Sequence, residues 1–92
     1  MNKPTLLTIV TDAGTFSRKT TRVYSHIVVA SDNDYTGVSR NNLGVVGYAG
    51  SLALAFSRAH TARTLHFGYN KEPGALVYSD VRVYAIDGTR VQ

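Results

Sequence analysis

Arg22-Val23-Tyr24-Ser25-His26-Ile27-Val28-Val29-Ala30 is the stretch on which the reading of this chain turns. It is rich in β-branched and aromatic residues, which suit a pleated, half-buried strand. Side chains on a strand alternate with period two. Val23, Ser25, Ile27 and Val29 then share one face, and Arg22, Tyr24, His26 and Val28 share the other. The first set is the candidate core face. The second is mixed, as expected of a sheet covered on one side and open on the other. A basic preface, Phe16-Ser17-Arg18-Lys19, leads into this strand.

Upstream, Thr5 to Thr11 is short and β-branched and predicts a strand. Asp12-Ala13-Gly14 predicts a tight turn in which Gly14 takes positive φ. The chain returns through Thr15-Phe16-Ser17 and is expected to kink or bulge at Arg18-Lys19-Thr20-Thr21 before the main strand. Downstream, Ser31 to Gly37 is polar and turn-forming, and a loop is expected to continue through Asn42. Leu43 to Val46 allows a brief strand, which Gly44 and Gly47 weaken.

A helix is predicted from Tyr48 or Ala49 to about Thr64. Its apolar stripe is Tyr48, Leu52, Ala55, Phe56, Ala59 and Ala62, and the alanines make a thin face suited to close packing on a sheet. Phe67 to Gly74 is expected to be a loop, with Pro73-Gly74 a strong break. Ala75 to Ile86 predicts a long strand: Val77, Ser79, Val81, Val83 and Ala85 alternate with Tyr78, Asp80, Arg82, Tyr84 and Ile86. Asp87-Gly88 is a two-residue turn, and Thr89 to Gln92 a short returning edge. Together these predict one α+β domain over residues 1–92: a small, mostly antiparallel sheet of three to four strands with one helix packed on one face.

A chain of 92 residues hides somewhat over ~60% of the surface that its unfolded form exposes, enough for a single core. Its 43% apolar and 17% charged content suits a globular protein and not a disordered one. The absence of cysteine excludes disulfides and thiolate metal sites. The apolar run Leu6 to Val10 is too short for a signal peptide, and no stretch approaches the ~20 apolar residues of a membrane span. A net charge of +4 and a pI near 9.7 favour an acidic partner, although a charge of this size also serves solubility.

If the helix covers the valine faces, Arg22, Tyr24 and His26 on one strand and Tyr78, Arg82 and Tyr84 on the other emerge together on an open face. Guanidinium groups grip phosphate and rings stack on unpaired bases, so such a face suits single-stranded nucleic acid. Tyr and Arg are equally good cross-strand partners with no ligand at all, and Asp80 in the row argues against a purely anionic target. Arg18, Lys19 and Arg22 form the densest basic cluster, read either as a phosphate or acidic-protein contact or as protection of a sheet edge. Arg40, beside Asn41-Asn42, is a candidate contact on the expected loop, whereas Arg58 and Arg63 read as solvated helix surface.

No catalytic set is legible. His60 and His66 are six apart, wrong for one helix face, and no zinc-enzyme spacing is present. No nucleophile-elbow sequence surrounds any serine, and the glycines from Gly44 to Gly50 lack the Lys-Ser/Thr ending of a phosphate loop. The expectation is a non-enzymatic protein with no cofactor and no metal.

Thr15-Phe16-Ser17-Arg18-Lys19-Thr20-Thr21-Arg22-Val23-Tyr24-Ser25-His26-Ile27-Val28-Val29, followed by Gly50-Ser51-Leu52-Ala53-Leu54-Ala55 opening an alanine-rich helix, resembles a phage-encoded anti-CRISPR protein directed at the type I-F (Csy) surveillance complex. The resemblance implies an inhibitor working in the cytoplasm of the bacterial host. It would dock on the Cas backbone subunits and their guide RNA and block target DNA hybridisation. The alternative is a small basic accessory protein that binds single-stranded nucleic acid by itself.

Overall fold

Four consecutive residues, Ile27 to Ala30, are all buried. A strand buries neighbours that point in opposite directions only when both of its faces are covered. That single fact organises the fold, and it overturns the expectation of an open sheet face.

The structure, a computed structural model, describes residues 3–69 and 72–92. The chain runs β1 (Thr5–Thr11), β2 (Gly14–Thr20), β3 (His26–Asn33), β4 (Ser39–Ala49), α1 (Leu52–Thr64), β5 (His66–Tyr69), β6 (Glu72–Leu76) and β7 (Tyr78–Ala85). A three-stranded antiparallel sheet has the order β4-β3-β7. Helix α1 packs on one face of it, where Val28, Val83 and Ala49 meet Ala55 and Ala59. This is the expected α+β class, and the thin alanine stripe is the buried one. Leu52 and Phe56, expected on that stripe, sit at its margin and are exposed.

The hairpin β1–β2 pairs only within itself and forms a third layer on the opposite face. Its Ile9, Leu7, Ala13 and Phe16 pack on Ile27, Val29 and Tyr84 of the sheet. The hairpin turn is as expected, with Gly14 at φ +133. Arg18 and Lys19 do not kink: they continue β2 to Thr20.

The main strand is shorter at its start and longer at its end than its composition predicts. It begins at His26, and Val23 is 91% exposed in the connection from β2. It ends at Asn33, because the expected loop contracts to a tight turn built on Asp34. The Asp34 carboxylate accepts from the amides of Thr36 (2.9 Å) and Val38 (3.1 Å), and Gly37 adopts φ +89. The Thr36 hydroxyl also donates to it, and these hydrogen bonds, the hydroxyl's first, hold the Asp34 carboxyl below its usual range. Residues 39–49, expected as loop, short strand and helix start, form the edge strand β4.

The helix therefore starts later than predicted. Ser51 is its N-cap, accepting from the Leu54 amide at 3.1 Å. At its other end Arg63 is not free surface: it donates to the Gln92 side chain (2.7 Å) and to the Val81 carbonyl (3.1 Å). The expected loop after the helix is the hairpin β5–β6, with Pro73 and Gly74 inside β6. Asn70 and Lys71 of that stretch, like Met1 and Asn2, lie outside the described residues. The predicted strand 75–86 is interrupted at Val77, and β7 begins at Tyr78. The turn at Asp87-Gly88 and the returning edge are as expected, with Arg90 bridged to Tyr84 and Val91 and Gln92 bonded to Val83. Among the described residues no helix is long and apolar enough to cross a membrane.

Candidate basic aromatic groove

Residues opposite each other in an antiparallel hairpin share a face. Arg18 pairs with Leu7 and Phe16 with Ile9, so Arg18 lies on the inward face of the hairpin, one step beyond the Phe16 that packs on the core. There the hairpin overhangs the edge strand β4. The Arg18 guanidinium lies 4.7 Å from the Tyr48 ring centre and 5.9 Å from that of Tyr24. The two rings are themselves 5.1 Å apart and tilted by 42°. Lys19 pairs with Leu6 and faces outward, away from this cluster.

Between the overhanging hairpin and the flank of α1 runs a groove of about 590 Å³ along the C-terminal half of β4. Arg18, Arg22, Tyr24 and Tyr48 form one wall, and Leu54 and Arg58 of the helix form the other. The floor is Val45, Val46 and Gly47. Gly47 lets the Arg58 side chain come close, since a Cβ on it would lie 3.3 Å from the Arg58 Cδ, which would have to give by a few tenths of an ångström. Val46 is an inserted residue: Val28 pairs with Gly47 and Val29 with Val45, leaving Val46 bulged out toward the groove. Bulges of this kind re-aim a side chain at a sheet edge.

Three arginines, Arg18, Arg22 and Arg58, line the groove, and no acidic residue among the described ones does. Among the described residues none of the three forms an ion pair. The groove continues past Val46, Leu54 and Arg58 into a second cavity of about 390 Å³, walled by Val28, Leu65 and Tyr78, with Ser57 and Thr61 at the helix side.

Of the residues predicted from sequence, Arg18, Arg22 and Tyr24 meet in the groove and Tyr78 lines the adjoining cavity. The others are drawn elsewhere. Arg40 is on β4, 3.7 Å from Asp32 in an exposed pair, and not on a long loop. His26 opens β3, half-buried, with its Nδ1 2.7 Å from the Ser25 hydroxyl.

Arg82 and Tyr84 are not on an open face, because the hairpin covers them. Tyr84 is fully buried and its hydroxyl donates to Asp12 in the β1–β2 turn. Arg82 grips Asp80 with two hydrogen bonds, Nε at 3.0 Å and Nη2 at 2.7 Å, and donates to the Tyr84 hydroxyl at 3.1 Å. That fork and the Arg82 charge hold the Asp80 carboxyl below its usual range. Burial pushes the Tyr84 phenol up, against the pull of Arg82.

Three contributors were not legible as site residues. Tyr48 reads as a helix start, Arg58 as helix surface, and Val46 as part of a doubtful strand. The spacing Leu54–Arg58, four apart and so on one helix flank, is the signal that pairs the helix wall. Among the described residues no group of three or more His, Cys, Asp or Glu is placed to hold a metal. No family model, no curated protein and no solved structure matches this chain.

Proposed function

We propose that this protein binds an unpaired stretch of nucleic acid in the groove over β4, as a non-enzymatic binder. The observation that carries the reading is the stack of Arg18 on Tyr48 and Tyr24, flanked by Arg22 and Arg58 with no carboxylate among the lining residues. Guanidinium groups suit phosphate oxygens. Aromatic rings suit unstacked bases, which a duplex does not offer. Fluorescence anisotropy with short labelled RNA and DNA strands over a salt series tests it. With up to three phosphates neutralised, the logarithm of the binding constant should fall with the logarithm of salt with a slope of about −2. Absence of binding to any single strand at low salt removes the proposal.

A second reading follows the resemblance to anti-CRISPR proteins. In it the gripped strand is the guide RNA of a type I-F surveillance complex, in the bacterial cytoplasm, and target DNA hybridisation is blocked. It is favoured by a separate surface suited to a Cas subunit: Lys19 on the outward hairpin face, with Leu6 and Val10 exposed on the same layer. A pull-down against purified complex, with target cleavage assayed in parallel, separates the two readings. Capture and loss of cleavage without a shift of naked RNA supports the second. Failure of capture with normal cleavage discards it.

A further inference from the structure

Resting on the nucleic-acid reading, we infer that the cavity between α1 and β4 receives one unstacked base of the strand whose phosphates lie against Arg18, Arg22 and Arg58. The cavity and the groove are one continuous surface, joined by Val46, Leu54 and Arg58. Arg58 is the hinge between them: its stem lies on the Gly47 backbone and its residue lines both spaces. A ligand held by the guanidinium groups has its next moiety at the cavity mouth.

The lining decides what that moiety is. Val28, Val46, Leu54 and Leu65 are apolar, so a phosphate gains nothing by entering. An alkyl chain would fill the apolar part and leave the Ser57 and Thr61 hydroxyl oxygens of the helix wall without a donor. A base brings an apolar plane with a polar edge. Thr61 donates its hydroxyl hydrogen to the Ser57 carbonyl at 3.1 Å, leaving its oxygen lone pairs to accept from a base amino or imino group. Ser57 offers a second hydroxyl on the same wall, and Tyr78 a ring for contact. The volume of about 390 Å³ lies within the range of small-ligand sites, ~300–1,000 Å³. The minimum ligand is then a nucleotide with its base, and not a run of phosphates.

The test uses the whole chain and two probes: a labelled RNA trinucleotide and the same trinucleotide without bases. Thr61→Trp fills the cavity from an exposed helix position and removes none of the three arginines. It should weaken the RNA trinucleotide by about tenfold, the scale of one lost base contact, with an unchanged salt slope. Binding of the baseless strand should not change. Ser57→Trp, on the same wall, should repeat the pattern, and thermal unfolding of each variant establishes that it is folded. Wild-type affinity of both folded variants for the RNA trinucleotide overturns the base assignment while the groove reading stands. Failure of the unsubstituted protein to bind either probe at low salt overturns both.

Discussion

Arg18 and Arg82 look alike in the sequence and have opposite fates. Each lies on a strand near tyrosines, and each is a candidate contact for an acidic partner. Arg82 is consumed: Asp80, Tyr84 and, at 3.8 Å, Asp12 surround it, and only 19% of its side chain is exposed. Arg18 lies over two tyrosine rings, in a groove with no carboxylate among the described lining residues. The difference lies in the turn of β1–β2. Asp12 stands at its tip and closes over the β7 end of the sheet, so the arginine there becomes part of the joint between two layers. At the β4 edge the hairpin brings no acid. A guanidinium surrounded by acceptors fastens layers together; one resting on aromatic faces remains available to an anion.

The joint at Tyr84 is where a substitution should cost the fold most. Tyr84→Ala empties a fully buried ring site beneath the hairpin and should cost about 3–5 kcal/mol, a large part of the stability of a domain this size. Tyr84→Phe keeps the ring but removes the hydroxyl shared by Asp12 and Arg82, and should cost only about 1 kcal/mol. Urea denaturation reads both. Equal losses would mean that the polar joint, and not the ring, holds the hairpin down.

Gly88→Ala attacks the same layer contact through the backbone. Gly88 adopts φ +93, and a Cβ there would fall 2.0 Å from the Val10 carbonyl oxygen on β1. Backbone atoms cannot yield as a side-chain tip can. The left-handed conformation alone costs about 1–2 kcal/mol, and the overlap must add to it by forcing the turn and β1 apart. A midpoint of unfolding within error of the unsubstituted protein would mean that the turn and β1 are not in contact in solution.

Acid and alkali should both weaken the joint, with opposite signs for its two kinds of group. Asp80, held low chiefly by its Arg82 hydrogen bonds, contributes stability above the ordinary carboxylate range and loses it as pH falls below about 4. Asp34 and Asp87, held low chiefly by hydrogen bonds from Thr36 and from the Thr89 backbone, act in the same direction. Tyr84, pushed up by burial, contributes fully below about pH 10 and loses its contribution as pH rises beyond. Asp80→Asn should flatten part of the acid limb and leave the alkaline limb unchanged. Urea midpoints across pH check this, and an unaltered acid limb in that variant would remove Asp80 from the account.

How much of this was legible follows from the same pair of arginines. The β1–β2 hairpin, the alternation of Val81 and Val83 with Arg82 and Tyr84, the alanine stripe and the Asp87-Gly88 turn are local patterns, and they are read correctly from local sequence. Which face a second layer covers is not local. Arg82 and Tyr84 suit solvent and suit a buried polar joint equally well, and the deciding partner, Asp12, is 72 residues from Tyr84. One signal does exist: four consecutive apolar residues, Ile27 to Ala30, leave no polar face on the central strand. The extent of β4 was hidden for a different reason. Gly47 weakens strand propensity, and only the fold shows that the Arg58 side chain lies close over it.

At Arg18 the expected effect on stability is the smallest. An exposed guanidinium over rings contributes about 0.5–1 kcal/mol, so Arg18→Ala should move the urea midpoint little. Its consequence belongs to binding. Removing one phosphate contact should make the slope of affinity against salt shallower by about 0.7. Arg18→Lys separates charge from shape: it should keep the slope and lose affinity only a few-fold, because an ammonium retains the charge and gives up the guanidinium's contact with the Tyr48 ring. Arg82→Ala should do the reverse, destabilising the fold with no change in salt slope, since its charge is already met by Asp80. If Arg18→Ala unfolds the domain as readily as Arg82→Ala, then both arginines are joints and the groove is a seam between layers with no free cation to offer.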